Sequence, residues 1–146
     1  MEKCFERVGG SVARVDAYPV GGISVTIPNY VRILTAKSSS VKYSGLPIRI
    51  PFSSRTMKIT DQNADGVNGF THTIGLEWET SSDEYALSCV DALQNNAHDL
   101  LVTYFGGTKK VIRTDETSYK FTFREEDGAL KCSMSLVNGQ GLILLV

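Results

Sequence analysis

Thr71-His72-Thr73-Ile74-Gly75-Leu76-Glu77-Trp78 alternates without a slip. His72, Ile74, Leu76 and Trp78 fall on one face, and Thr71, Thr73, Gly75 and Glu77 on the other. Side chains along a β-strand repeat every two residues, so the stretch predicts a strand with one covered and one wetter face. Residues 119–124 and 129–136 repeat the pattern, with Asp127-Gly128 between them. That dipeptide suits the left-handed backbone angles of a tight hairpin. The chain is built mainly from strands.

Toward the amino end, residues 55–60 alternate again, with Met57 and Ile59 on one side. The run 61–69 is rich in Asp, Asn and Gly, which predicts a turn. Residues 12–17 and 23–27 read as short strands separated by Pro19 and Gly21-Gly22, and residues 31–35 as a third. Lys37-Ser38-Ser39-Ser40 and Tyr43-Ser44-Gly45 read as loop by composition. Pro47 and Pro51 bracket Ile48-Arg49-Ile50. Proline has no amide to donate to a ladder, so this piece is at best an edge strand or an extended arm.

Toward the carboxyl end, Ser81 stands three residues before Glu84, the spacing of a capping box. Ala86, Leu87, Val90, Leu93 and Ala97 then recur at the spacing of one helical face, and Asn95-Asn96 marks its end. The spacing predicts one substantial helix within residues 82–96. Strands return at 100–104 and 108–113 about Gly106-Gly107, and Gly139-Gln140-Gly141 precedes a last apolar strand. A single helix of this size cannot cover both faces of a large sheet. The predicted class is therefore mainly β (α+β), an antiparallel β-sandwich or small barrel with one α-helix packed on one side.

The 146 residues, 42% of them hydrophobic, suffice for one domain with a sizeable core. Fifteen Lys and Arg against 16 Asp and Glu leave a net charge of −1, without the electrostatic footprint of a free-standing nucleic-acid binder. Lys109, Lys110 and Arg113 lie close together but read as a solvated loop. Cys4, Cys89 and Cys132 are odd in number and irregularly spaced, which argues against a disulfide framework or a paired-cysteine zinc site. Charges at Glu2, Lys3, Glu6 and Arg7 occupy the place where a signal peptide needs an apolar run. The apolar segment 142–146 is far too short to span a bilayer. These features predict a reducing compartment, no membrane partner and no specific nucleic-acid partner.

The nearest approach to a metal motif is Asp61-Gln62-Asn63-Ala64-Asp65-Gly66. Oxygen ligands at first, third and fifth positions with glycine at the sixth begin a calcium loop. The twelfth position, which should carry a bidentate carboxylate, is His72. Asp61, Asn63 and Asp65 are thus expected not to form a tight calcium site, and no cofactor is expected. His72 sits on the apolar strand face and His98 at the helix exit, with no nucleophile placed beside either. Cys89 falls on the buried side of the helix. Gly106-Gly107-Thr108-Lys109 lacks the spacing of a phosphate loop. Glu77, Glu79, Asp83 and Glu84 gather about the helix start, with nothing to raise one carboxylate above another. Trp78, Tyr119, Phe121 and Phe123 occupy alternate strand positions and read as core. No catalytic constellation emerges, and the chain is expected not to be an enzyme.

Residues 36–55 form a long segment with little regular structure, an extended arm or loop. Its apolar members Val41, Tyr43, Leu46, Ile48, Ile50 and Phe52 are too many for a flexible linker. They are candidate interface residues of an arm that packs on a neighbouring subunit, while folding back over the chain's own sheet is the other arrangement open to them.

In the arm at 41–52, the helix at 82–95 and the run 100–136 with its Asp127-Gly128 turn, the chain resembles the small tail-tube, tail-completion and head–tail joining proteins of tailed bacteriophages. This is a resemblance of layout, covering most of the chain without a specific motif. It implies a structural subunit that self-associates into a homo-oligomer or docks to other virion proteins. The virion, assembled in the host cytoplasm, is the location it implies. The alternative is a β-sandwich module that binds carbohydrate or peptide, with calcium at 61–66.

Overall fold

The computed structural model describes residues 11–26, 37–38, 40–66 and 69–145. In chain order the elements are β1 (Val12–Pro19), β2 (Ile23–Thr26), β3 (Lys37–Ser38), β4 (Ser40–Tyr43), β5 (Ile48–Arg49), β6 (Lys58–Gly66) and β7 (Gly69–Ser81). Helix α1 (Glu84–Asn95) follows, then β8 (His98–Tyr104), β9 (Lys109–Ile112), β10 (Lys120–Glu126), β11 (Ala129–Asn138) and β12 (Leu142–Leu145).

The strands form a six-stranded sheet ordered β3-β12-β9-β8-β1-β5 and a four-stranded sheet ordered β10-β11-β7-β6. Their ladders are antiparallel except where β12 meets β3. Val15, Ala17, Leu100, Val102 and Ile112 of the larger sheet share one core with Ile74, Leu76, Leu130, Met134 and Leu136 of the smaller. The described residues form an antiparallel β-sandwich carrying one helix. Strand β7 carries the expected alternation: His72, Ile74, Leu76 and Trp78 are all buried.

The antiparallel pair of β2 and β4 adds a third layer on the outer face of the six-stranded sheet. Ile23 packs there on Leu101, Val111 and Ile143, with Tyr18 and Val41 alongside. Gly22 seats this layer. Its amide donates to Pro19 O, its carbonyl accepts from Ser44 N, and a Cβ would lie 2.8 Å from the carbonyl oxygens of both residues.

Helix α1 spans the sandwich from the β5 edge to the β10 edge. Ala86, Val90 and Leu93 enter the shared core. On one side the Tyr85 hydroxyl donates to Arg49 O at 2.7 Å. On the other, Ser82 Oγ hydrogen-bonds the Glu125 carboxylate. The Tyr119 hydroxyl donates to Leu93 O at 2.6 Å, fixing the last turn.

Several expectations are corrected. The polar run 61–66 is strand rather than turn: it pairs with β7 from Asp61↔Ile74 to Gly66↔Gly69. A long regular partner offers a continuous backbone ladder, and at a sheet edge polar side chains stay wet, so pairing overrides turn propensity. Residues 37–38 and 40–43, read as loop, pair with β12 and β2 for the same backbone reason. The helix is capped by Asp83, whose carboxylate accepts from Ala86 N at 2.8 Å, and Ser81 instead ends β7. Leu87 lies 45% exposed, while Cys89 takes its expected place on the buried face. The strand expected at 31–35 and Cys4 lie outside the described residues.

Candidate functional site

The segment expected to form an arm is a strap that carries the chain from one sheet to the other. After β4 it turns at Gly45, which has φ +81, and pairs β5 with the edge of β1 through Asp16↔Arg49 and Ala17↔Ile48. It then reaches the second sheet, where Ser53 N donates to Glu79 O at 2.7 Å. Of the two arrangements open to it, the strap folds back over the chain's own sheets.

This divides the six candidate interface residues. Ile50 is fully buried in the main core, and Ile48 and Phe52 pack against it. Val41 packs under the β2–β4 layer. Only Tyr43 and Leu46 reach solvent appreciably, at 43% and 88% exposure. Tyr43 stacks on Tyr18 with ring centroids 5.5 Å apart, and the neighbouring turn exposes Val20. Tyr18, Val20, Tyr43 and Leu46 thus make an apolar tip beside the edge of the larger sheet. Alternation alone could not separate these roles, because each reversal of the strap changes which face is inward.

Below the tip, a groove of about 600 Å³ runs between the strap, the start of β1 and the helix. Arg14, Arg49 and Arg55 line it together with Phe52, Tyr85 and Phe105. No carboxylate is among its lining residues. Asp16, nearly buried, lies 3.1 Å from Arg14 Nε and 3.4 Å from Arg49 Nε. One carboxylate therefore faces two guanidiniums. Arg55 has no ion-pair partner among the described residues, and its backbone sits at φ 66. The left-handed region costs a residue with a Cβ about 1–2 kcal/mol. Sequence reading passed over these arginines because they stand far apart in the chain, and only the β1–β5 pairing gathers them.

A second groove, of about 710 Å³, crosses the outer face of the four-stranded sheet. Its charges stand in cross-strand rows, Lys58 opposite Glu77 and Glu79 opposite Lys131. Such pairs are how an outward sheet face stays soluble. Of the aromatic residues expected in the core, Trp78 is buried with Phe121 6.0 Å from it, whereas Phe123, near the exposed end of the hairpin, is 41% exposed and lines this groove.

The metal candidates lie along extended β6. Asp61 and Asp65 are four residues apart on a strand, so their backbones are separated by about 13 Å. Asp61 is engaged by His72, with Nδ1 to Oδ1 at 2.8 Å. The Asp65 side chain lies outside the described part of the structure. No group of three or more His, Cys, Asp or Glu side chains is gathered as for a metal ion among the described residues. His98 Nδ1 lies 2.8 Å from Asn96 O. Among the described residues, neither imidazole is bonded to a hydroxyl or thiol. Burial pushes the Cys89 thiol up, away from the thiolate a nucleophile requires. No helix among the described residues is long and apolar enough to cross a membrane.

No family model, curated protein or solved structure matches the chain.

Proposed function

We propose that this chain is a non-enzymatic structural subunit of a phage or phage-like tail or neck assembly. It acts by self-association or by docking to other virion proteins, and it is assembled in the host cytoplasm. The observation that carries the reading is the tip: Leu46 stands 88% exposed beside Tyr43 and Val20. Covering a leucine side chain is worth about 1.5–3 kcal/mol, so a partner surface gains from seating on it. The strap behind the tip is anchored by Ile50 in the core, which presents the tip without a disordered hinge. Presentation on a rigid support lowers the ordering cost of association.

The test is the solution mass of the intact protein over a range of concentration, measured by sedimentation. Wild type is expected to associate, and Leu46→Asp with Tyr43→Ser to remain folded and monomeric. Deleting residues 44–51 is unsuitable, because it would remove Ile50 from the core. A wild type that stays monomeric at high concentration and joins no candidate tail partner overturns the reading.

A further inference from the structure

The β10–β11 hairpin ends in the acidic run Glu125-Glu126-Asp127, and all three residues are exposed. The hairpin is regular to its tip: Glu126 pairs with Ala129, and Asp127 and Gly128 take φ 51 and 78. A two-residue turn of this kind is stiff and projects its flanking side chains outward. The arginine groove offers the opposite charge: three guanidiniums line it, and the single carboxylate of Asp16 is shared between Arg14 and Arg49. With a net charge of −1, the chain has little overall field to bring copies together, so attraction between copies must be local.

We propose that this groove is the socket for the acidic hairpin tip of a second copy of the chain. The inference rests on the self-association reading and names its contact: Arg49 and Arg55 grip the carboxylates of Glu125, Glu126 and Asp127. Guanidinium forks bind carboxylates through two parallel hydrogen bonds, which fixes orientation as well as attraction. Phe105, 69% exposed, and Tyr85 flank the groove and cover the stems of the incoming side chains. Backbone pairing is not the mode of contact at this edge, since Pro47 and Pro51 flank β5 and cannot donate to an added strand.

The tip's present partners do not prevent this. Glu126 lies 3.5 Å from Arg124 Nε and 3.7 Å from Lys131 Nζ, while Glu125 meets Ser82 Oγ. Exposed pairs of this kind are screened by solvent and contribute little, so exchanging them for the socket costs little. Socket and tip are different surfaces of one chain, so each copy offers both halves of the contact. Repeated head to tail, such a contact closes into a ring or continues as a stack.

The experiment is sedimentation of the full chain at low and high salt, with two charge-reversed variants. One carries Arg49→Glu and Arg55→Glu, the other Glu125→Lys and Glu126→Lys, and thermal melting confirms that each is folded. Each alone should associate at least about tenfold more weakly than wild type. Mixed, they should restore association, because each supplies the half-contact the other lacks. Where a reversed variant fails to fold, Arg49→Gln with Arg55→Gln takes its place, with the same loss expected and high salt weakening wild type toward it. If these variants associate like wild type while Leu46→Asp does not, the socket is wrong and the self-association reading stands. If wild type does not associate under any condition, that reading fails and takes the socket with it.

Discussion

His72 Nδ1 lies 2.8 Å from Asp61 Oδ1, diagonally across the β6–β7 ladder, and both side chains press on the backbone of Gly141. Gly141 takes φ +65, and its amide donates to Asn138 Oδ1 at 2.6 Å. The Asn138 amide in turn donates to Arg113 O at 2.7 Å. The entry to β12, in one sheet, is thereby seated on the edge of the other. Helix α1 spans the far side of the sandwich, and this polar cluster does the corresponding work here.

A Cβ at position 141 would come within 2.5 Å of His72 Nδ1 and 2.7 Å of Asp61 Oδ2. Gly141→Ala is expected to destabilise by about 2–4 kcal/mol, from the left-handed backbone and the clash together. Urea unfolding measures it. An unchanged midpoint would show that the cluster does not hold β12.

Asp83, and not Ser81, satisfies the first turn of the helix. Asp83→Ala should cost about 1 kcal/mol. Ser81→Ala should stay within about 0.5 kcal/mol, as a surface change does. Thermal melts of the pair decide between the two caps.

Leu87 and Val90 looked equivalent by helical spacing, yet Val90 is buried and Leu87 is not. Val90→Ala should destabilise by about 1.5–3 kcal/mol. Leu87→Gln should leave the unfolding midpoint nearly unchanged. Equal losses at both positions would mean that the helix is rotated about its axis.

Burial pushes the Cys132 thiol up to about 11 from an ordinary 9.0. A thiol that holds its proton more tightly when folded contributes stability in full below pH 9.0. That contribution is lost as the pH rises through about 11. Stability should therefore fall on the alkaline side, and less steeply in Cys132→Ala. Peptide-level alkylation at pH 8 should leave Cys132 unmodified until denaturant is added. Rapid labelling of native protein at this residue would contradict the burial.

The architecture was legible wherever one strand face is covered continuously. His72 to Trp78 shows its period because burial there depends only on alternation, and the Asp127-Gly128 hairpin shows because its backbone angles demand those residues. The polar strand at 61–66 was not legible, since an edge ladder is held by backbone groups that every residue carries. The helix cap was misread by two residues, because Ser81 and Asp83 are both chemically competent and only the path out of β7 chooses between them.

By itself the sequence determined the strands with one covered face, the place of the helix at 84–95 and the closing hairpin, all consequences of short-range periodicity and turn chemistry. Tertiary structure alone decided which of Tyr43, Leu46, Ile48 and Ile50 face solvent, because the strap's route between sheets is set by long-range pairing with β1 and β7. It also decided that Arg14, Arg49 and Arg55 share one groove with an unequal share of carboxylate. Charge becomes a site only where folding brings it together, and that convergence is written in the contacts between distant segments and not in any one of them.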